Sequence, residues 1–352
     1  MDKKIVVLGA GAVGGYVGGH LSLAGEDVLL IDCWPEHIEA IKADGLHLSN
    51  PAEEHVVEVP CMHLHEVQGL NKNPVDIAII STKSYDTEWA AALIKPYLKP
   101  DGFIVSLQNS INEERIAGIV GWGKVVGCIP SGISVELYKP GHIQRTLMPA
   151  GKGKLVFRLG EVHGRVTRRV EDLAQRLRVV DGTKTTTNLW GERWTKLIVN
   201  SMNNAVSAVT GLGSRLIAEQ EIPRKLSIKI GCETIRVGQA LGYEIEVVRG
   251  MDLETLLAAG RDESRALKEV HRVMLEGVKH RTAAGRPSTA QDIDKGRRTE
   301  IDFINGLVVR KGHEAGVPTP LNETITRVVK RVESGELKQH PDHAHDILKS
   351  SV

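Results

Sequence analysis

The chain has 352 residues, of which 41% are hydrophobic and 25% charged, a composition typical of a globular protein with room for two domains. Its net charge of +1 gives no electrostatic basis for binding nucleic acid or an anionic membrane surface, and no apolar run reaches the length of a membrane span. Four scattered cysteines without a CxxC pair favour free thiols in a reducing compartment, so we expect a soluble, cytoplasmic protein.

The chain opens with a strand, a glycine-rich turn, a helix and a second strand. The apolar run Ile5–Leu8 leads into GAGAVG at positions 9–14, a helical pattern follows, and a second apolar run ends in Asp32. In such an arrangement the first glycine permits a sharp turn, the second lets a pyrophosphate approach the backbone, and the third allows close packing of helix and strand. The helix N-terminus presents N–H groups to the phosphates.

The acidic residue completes the pattern, because Asp32 follows Gly9 by 23 residues, near the spacing of a carboxylate that binds the adenosine ribose. An ordinary glycine-rich turn is the alternative, but it would not explain the strand before the glycines, the helix after them and the acid in its place. The sequence therefore predicts a dinucleotide site. The residues expected to bind the cofactor here are Gly9, Gly11, Ala12, Val13, Gly14 and Asp32.

Between the second strand and residue 67 the pattern changes twice. Residues 35–43 predict a short amphipathic helix with a proline in its first turn, and the alternating apolar residues of 45–67 predict additional β structure. Cys61, His63 and His65 would share one strand face there, but no fourth ligand at zinc-site spacing is visible. We therefore favour a partly exposed strand face over a metal site.

Further apolar runs alternate with helical patterns at residues 75–81, 103–107 and 125–129. This alternation indicates a parallel sheet with right-handed crossovers. Ligands bind beyond the carboxyl ends of such strands. Lys83 and Asn109 each lie just past a strand end, so we expect them near the reactive half of the cofactor. A solvated surface charge is the alternative interpretation of Lys83.

The remainder of the first half is expected to add to this sheet. Residues 133–146 and 154–160, around a turn at 151–153, are expected to extend it as antiparallel strands. A charged amphipathic helix over 165–177 and a short strand at 179–180 follow.

A polar stretch over 183–187 interrupts the pattern, and strand signals almost vanish beyond it. We predict an α/β Rossmann-like dinucleotide-binding domain over residues 1–187 and an all-α substrate and catalytic domain over residues 188–352. The helices of the second domain are expected at residues 188–210, 223–241, 253–258, 263–282, 297–315 and 321–332. The tail from Gly335 is expected to be a frayed end. The long apolar helices favour a helix-mediated homodimer.

The first helix of the second domain carries Lys196, Asn200 and Asn204 at positions i, i+4 and i+8. This spacing makes a nearly straight polar stripe, and the other faces are apolar, which is typical of a buried helix. The stripe then lines a cleft or, alternatively, faces solvent without a role. A carbonyl reduction needs such a set, because an ammonium can protonate the oxygen that gains negative charge while amides hold the substrate.

Two later segments carry further polar residues. Ser288 follows Arg286-Pro287, and Glu300 lies in the helical pattern of 297–315. From the residues alone, the simpler interpretations are that Ser288 caps a local helix and that Glu300 pairs with Arg297 on a solvated face.

Together these motifs resemble the ketopantoate reductase family (2-dehydropantoate 2-reductases) over nearly the whole chain. The motifs that carry the resemblance are GAGAVG at 9–14, TKSYDT at 82–87, Gln108-Asn109, Trp194 with the stripe of Lys196, Asn200 and Asn204, Ser288, and TEIDFING at 299–306 followed by GVPTP. The intervals between the motifs fit the family as well.

The resemblance implies a role for each polar residue. Lys196 would be the general acid that protonates the nascent hydroxyl. Lys83 would help to place the cofactor, and Glu300 would contact the cofactor ribose or support Lys196. The residues implied to hold the substrate are Asn200, Asn204 and Ser288, together with Asn109 between substrate and nicotinamide.

The implied reaction is the NAD(P)H-dependent reduction of a 2-oxo acid to a 2-hydroxy acid, with ketopantoate to (R)-pantoate in coenzyme A synthesis as the leading case. Two features depart from the family pattern. Members that use NADPH usually place an arginine just after the second strand, where this chain has Cys33 directly after Asp32. A carboxylate repels a 2′-phosphate and suits ribose hydroxyls, so we expect NAD(H) to be favoured over NADP(H). Ser110 stands where glycine is common, which leaves the identity of the 2-oxo acid open.

Two alternative functions are consistent with the same residues. One is an NAD-dependent dehydrogenase of another branched 2-hydroxy acid on the same scaffold, and the other is a nucleotide-sensing protein without turnover. The complete set of polar residues argues against a sensor, because a sensor does not need a proton donor. We expect a small-molecule substrate, a homodimer, no metal, and no nucleic acid or membrane partner.

Overall fold

The computed structural model describes residues 3–149, 155–279 and 285–350. The chain divides into two compact units, Met1–Leu189 and Trp190–Val352. The turn expected at 151–153 and the end of the helix expected over 263–282 lie outside the described residues.

The first unit is built on a large sheet of mostly parallel strands. The described strands of this unit are β1 (Ile5–Leu8), β2 (Val28–Asp32), β3 (Leu46–Ser49), β4 (Glu54–Val57), β5 (Cys61–His63), β6 (Val75–Ile80), β7 (Leu98–Ser106), β8 (Val125–Pro130), β9 (Val135–Lys139), β10 (His142–Arg145), β11 (Phe157–Glu161) and β12 (Thr183–Thr185). Eight of them form one sheet in the order β12-β11-β8-β7-β6-β1-β2-β5, in which only the β8–β11 pair is antiparallel.

Helices cover both faces of this sheet, as a buried parallel sheet requires. The described α-helices of the first unit are α1 (Ala12–Leu23), α2 (Pro35–Asp44), α3 (Thr87–Ile94), α4 (Glu113–Val120) and α5 (Arg168–Leu177). Side chains alternate along each strand: Ile5 and Val7 belong to one buried cluster, whereas Val6 and Leu8 belong to another. The continuous apolar runs of the sequence are therefore strands that are buried on both faces.

A second, four-stranded sheet has the order β4-β3-β10-β9, with β3 parallel to β10. The expectation that residues 133–146 extend the main sheet is therefore wrong for β9 and β10, whereas β11 does extend it. The reason lies in α1, whose glycines leave one face of the helix without side chains, so that a second sheet can approach its backbone. A Cβ on Gly19 would lie 2.8 Å from Cδ1 of Leu48, and one on Gly15 would meet Ile143. The second sheet packs directly on the backbone of α1.

The end of the first unit also differs from expectation. Residues 179–180 form a turn after α5 instead of a strand, and Val180 N–H donates to the Leu177 carbonyl at 3.0 Å. The polar stretch expected to interrupt the pattern contains β12, which pairs with β11 at the edge of the main sheet. An edge strand has a neighbour on one side only, so threonines suit it as well as apolar residues do.

The described part of the second unit is helical apart from an isolated bridge between Val248 and Met251. Its α-helices are α6 (Leu189–Thr210), α7 (Ser214–Glu219), α8 (Glu221–Ala240), α9 (Leu253–Gly260), α10 (Ser264–Glu276), α11 (Ser288–Asp294), α12 (Asn305–Ala315), α13 (Pro320–Glu333) and α14 (His343–Lys349). Side chains of α6, α8, α13 and α14 share one buried apolar cluster. Among the described residues, no helix combines the length and the apolar character needed to cross a bilayer.

Two segments of this unit correct the sequence-based expectations. The helix expected from residue 297 begins only at Asn305, after a short 3-10 helix over Ile301–Phe303. Before it, the backbone N–H of Thr299 donates to the Glu333 carboxylate at 2.8 Å, and this contact holds the segment outside the helix. The tail expected to be frayed forms α14, whose Ala344 and Ile347 are buried in the apolar cluster.

Candidate active site

The glycine turn has the geometry of a phosphate-binding loop. Gly9 has φ +96°, and a Cβ there would lie 2.8 Å from the Thr82 nitrogen. Gly14 likewise has no room for a side chain, because a Cβ there would lie 2.9 Å from the Ser81 Cβ. By contrast, a Cβ on Gly11 would meet no described atom within 4 Å. The first and third glycines are thus required by the protein's own packing, and the second borders open space.

This open space lies at the N-terminus of α1, whose N-cap is Gly11 and has no side-chain cap. Helix N-termini present backbone N–H groups and the positive end of the helix dipole, which is how diphosphates are bound. The glycine turn, the neighbouring strand ends and the absence of a capping side chain all fit a dinucleotide diphosphate at Ala12, Val13 and the three glycines.

The carboxylate expected at the adenosine ribose lies at the end of β2, next to β1 in the sheet. Asp32 is half-buried, and its Oδ1 accepts a hydrogen bond from the Trp34 N–H at 2.9 Å. Residues 31–36 contain two carboxylates and no lysine or arginine. Burial and the adjacent Asp32 carboxylate raise the pKa of the Cys33 thiol. The charge in this segment is therefore negative.

The loops after β6 and β7 are joined by hydrogen bonds. The Asn109 carbonyl accepts from Ser84 Oγ at 3.3 Å and from Asn112 Nδ2 at 2.8 Å. Gln108 Nε2 donates to the Thr82 carbonyl at 2.9 Å. The structure therefore brings the Lys83 and Asn109 loops together at adjacent strand ends, with both side chains half-buried.

Sequence reasoning missed two residues that support these loops. Asn112 bonds both Ser84 Oγ and the Asn109 carbonyl, and Arg115 donates to the Ser84 carbonyl at 2.6 Å and to Asn112 Oδ1 at 2.9 Å. The i, i+3 spacing of Asn112 and Arg115 at the start of α4 is the local signal that could have indicated this pair.

Ser110 follows Asn109 with φ +68° and is only 6% exposed. A non-glycine residue in the left-handed region is uncommon, and such strain concentrates at functional sites. The strained serine thus lies directly beside a residue expected to contact cofactor and substrate.

In the second unit, α6 carries the polar stripe on a largely buried helix. Lys196 and Asn200 are half-buried, Asn204 is 8% exposed, and the flanking Leu197 and Ile198 are buried. Asn204 Nδ2 lies 3.5 Å from the Oγ of Ser288, which is the first residue of α11. The structure therefore joins two predicted substrate-binding residues that are 84 positions apart.

Glu300 is 4% exposed, which excludes the alternative of a solvated helix face. It immediately precedes the 3-10 helix, and its carbonyl accepts from the Phe303 N–H at 2.9 Å and the Ile304 N–H at 3.0 Å. Asp302 instead pairs with Lys330 at 3.1 Å near the surface. Of the two carboxylates in this motif, only Glu300 is buried.

A buried polar network that sequence reasoning missed supports the same region. Asn305 Nδ2 donates to the Ser201 carbonyl of α6 at 3.3 Å and to Asn322 Oδ1 at 3.0 Å. Asn322 Nδ2 in turn donates to Glu233 Oε2 at 2.8 Å. Burial raises the pKa of the Glu233 carboxyl. In the sequence, the only local signal for this network is Glu233, a lone carboxylate on the buried face of α8.

Two family models match the chain. "Ketopantoate reductase PanE/ApbA" matches residues 5–159, and "Ketopantoate reductase PanE/ApbA C terminal" matches residues 188–333. The chain is 30% identical over 337 residues to a 2-dehydropantoate 2-reductase of Archaeoglobus fulgidus, covering 95% of this chain and 99% of that one. It is 29% identical over 340 residues to the Pyrococcus horikoshii protein of the same name, covering 94% and 98%.

Solved structures show the same similarity. A PanE/ApbA family ketopantoate reductase from Ralstonia eutropha is 27% identical with a TM-score of 0.77, covering 95% of this chain and 99% of that one. A D-mandelate dehydrogenase with NADH and anilino(oxo)acetate is 25% identical with a TM-score of 0.76, covering 94% and 98%.

The Rossmann-type unit and the helical unit are together those of an oxidoreductase family that acts on CH–OH groups with a nicotinamide dinucleotide. The predicted combination of an α/β Rossmann-like domain with an all-α domain is confirmed. The chain belongs to the ketopantoate reductase family.

Proposed function

We propose that this protein reduces a 2-oxo acid to the 2-hydroxy acid, with Lys196 as the general acid. The observation that carries the proposal is the stripe of α6, in which half-buried Lys196 and Asn200 precede an Asn204 that contacts Ser288. When bound, a reduced nicotinamide would supply the hydride that the carbonyl carbon accepts. Lys196 Nζ gives a proton to the oxygen that gains the electron pair of the C=O π bond, and the ammonium becomes a neutral amine.

The remaining polar residues hold the reactants. The amides of Asn200 and Asn204 donate to the substrate carboxylate, and Ser288 bonds the substrate through its hydroxyl. Glu300 supports Lys196 or binds the cofactor ribose, where its burial would strengthen either interaction. In the first unit, Lys83 helps to place the cofactor and Asn109 borders both nicotinamide and substrate.

The substitution Lys196→Ala tests the proton donor. We expect kcat to fall by about 10²–10⁴-fold in NADH oxidation with a 2-oxo acid, the range for loss of a general acid. Lys225→Ala is the matched control, since Lys225 is a half-buried lysine on α8 that pairs with Asp262 at 2.8 Å. A Lys196→Ala enzyme as active as its parent would remove Lys196 from the mechanism.

The leading substrate is ketopantoate, reduced to (R)-pantoate. Full-length similarity to proteins named 2-dehydropantoate 2-reductase supports it. Similarity to a D-mandelate dehydrogenase favours, as second candidate, a dehydrogenase of another branched or bulky 2-hydroxy acid. The ratios of kcat/KM over ketopantoate, benzoylformate and branched aliphatic 2-oxo acids decide between them. Tight NADH binding without turnover of any 2-oxo acid would instead support a nucleotide sensor.

NAD(H) is the preferred cofactor in this proposal. Asp32 and Glu36 give the segment after β2 a negative charge, and no lysine or arginine within residues 31–36 is available to a 2′-phosphate. A phosphate dianion would therefore be repelled where two ribose hydroxyls would be accepted.

We assign dinucleotide binding to residues 1–187 and substrate binding and catalysis to residues 188–352, with the helical region also forming a homodimer. The apolar character of the helices in this region supports a dimer. Sedimentation velocity at micromolar concentration tests it, and a single species at the 38.4 kDa mass of one chain would contradict it.

A further inference from the structure

His37 is a fully buried histidine on α2 whose two ring nitrogens both have backbone partners. Its Nδ1 accepts a hydrogen bond from the Gly141 N–H at 2.9 Å. Its Nε2 lies 2.9 Å from the Ala10 carbonyl oxygen. A carbonyl can only accept, so Nε2 must carry the proton. The two contacts therefore fix one neutral tautomer of the ring.

The partners of this imidazole belong to three separate parts of the first unit. Ala10 lies inside the glycine turn, between Gly9 and Gly11. Gly141, 104 residues away from His37, makes the turn of the β9–β10 hairpin with φ +72°. Trp34, two residues after Asp32, stacks on the imidazole with a distance of 5.7 Å between the ring centroids. One side chain thus joins the glycine turn, the second sheet and the segment expected at the adenosine ribose.

The contact with Ala10 has a geometric consequence for Gly11. The carbonyl of Ala10 and the N–H of Gly11 belong to one planar trans peptide group, so they point in opposite directions. A bond from Nε2 to the Ala10 oxygen therefore directs the Gly11 N–H away from His37. Gly11 borders the open space where a Cβ would meet no described atom within 4 Å.

We propose that His37 is a positioning residue for the cofactor diphosphate, and that it acts through the Ala10–Gly11 peptide group. This inference depends on the proposed function only in that the ligand is a nicotinamide dinucleotide. Turnover is not required for it, because a nucleotide sensor would use the same contact. Because the peptide group is already fixed before the nucleotide binds, binding does not carry the entropic cost of orienting the Gly11 N–H.

Two amide substitutions separate the two contacts of His37. In His37→Asn the side-chain oxygen can replace Nδ1 as the acceptor for Gly141, but the amide is too short to reach Ala10. In His37→Gln the amide nitrogen can replace Nε2 as the donor to Ala10. We expect the Kd for NADH, from fluorescence titration, to rise about tenfold in His37→Asn, as for loss of one oriented hydrogen bond to a charged group. The Gln variant is expected to stay within about threefold of the parent.

His142→Asn is the control, because His142 lies in the same hairpin and bonds the Pro140 carbonyl at 3.0 Å. In steady state, His37→Asn is expected to raise KM for NADH and to leave KM for the 2-oxo acid unchanged. Unchanged NADH affinity in His37→Asn would overturn the proposal. Equal weakening in the Asn and Gln variants, in step with a loss of thermal stability, would also overturn it by showing a merely structural role. NADH binding that depends on His37 without turnover would leave this inference standing and refute the proposed reduction.

Discussion

At the scale of single residues, we propose that Asp32, the acid at the end of β2, decides the cofactor preference. The parent is expected to have a higher kcat/KM with NADH than with NADPH. Asp32→Ala is expected to lower kcat/KM with NADH by about tenfold, because hydrogen bonds from ribose hydroxyls to a charged carboxylate are lost, and to reduce the discrimination against NADPH. Initial rates with both cofactors measure this.

Glu36→Ala is the control for Asp32→Ala, because Glu36 is the other carboxylate of the segment and lies exposed in the first turn of α2. A parent enzyme that strongly prefers NADPH would show that the carboxylate does not select the cofactor.

Backbone strain at Ser110 leads to a second prediction at this scale. Ser110→Gly is expected to leave the free energy of unfolding within about 1 kcal/mol of the parent, because relief of the left-handed strain offsets the greater freedom of the unfolded chain. Ser110→Val is expected to lower it by about 1–3 kcal/mol, since a β-branched residue is a genuine outlier at φ +68°. Urea unfolding measures both, and a glycine variant less stable than the valine variant would refute the account.

At the scale of elements, Glu233 holds the start of α13. Its carboxylate accepts the backbone N–H groups of Leu321 and Asn322, each at 2.9 Å. Burial raises the pKa of this carboxyl in the folded protein, so the folded state holds the proton more tightly than the unfolded state. Its contribution to stability is therefore largest below the ordinary glutamate pKa and falls as the pH rises towards the raised value.

The variant Glu233→Gln cannot titrate and should not show this fall. We expect the difference in free energy of unfolding between parent and variant to change with pH inside that window and to be constant outside it. Urea unfolding at several pH values measures the difference. A difference that is constant at every pH would contradict the assignment.

The elements that the sequence predicts well are those with local signals. The 3.6-residue period predicts α13 at 321–332, against Pro320–Glu333 in the structure, and the i, i+4, i+8 stripe identifies one polar face of α6. Pairing between distant strands has no such signal. Nothing in residues 46–49 indicates that β3 lies beside β10, so the second sheet was not foreseen. The Glu233–Asn322 contact, 89 residues apart, was missed for the same reason.

At the scale of the whole molecule, the C-terminal tail is part of the helical unit. Gln339 Nε2 donates to the Ala208 carbonyl near the end of α6 at 2.9 Å, and Ala344 and Ile347 are buried. Deletion of residues 337–352 is expected to lower the free energy of unfolding by about 3–5 kcal/mol, from lost apolar burial and lost hydrogen bonds to Ala208, Val209 and Arg286. Urea unfolding measures this, with exposed His345→Ala as the control. An unchanged transition midpoint would show that the tail does not contribute.

The pairing of β3 with β10 has a consequence for biosynthesis. The glycine turn precedes Gly141, the partner of His37, by more than a hundred residues in the chain and is therefore synthesised before it. Closing a loop of that length loses chain entropy before the contact repays it. A nascent chain that stops short of β10 therefore has the glycine turn but lacks the Gly141 N–H that bonds His37, and we expect this support of the turn to form only after β10 has been made.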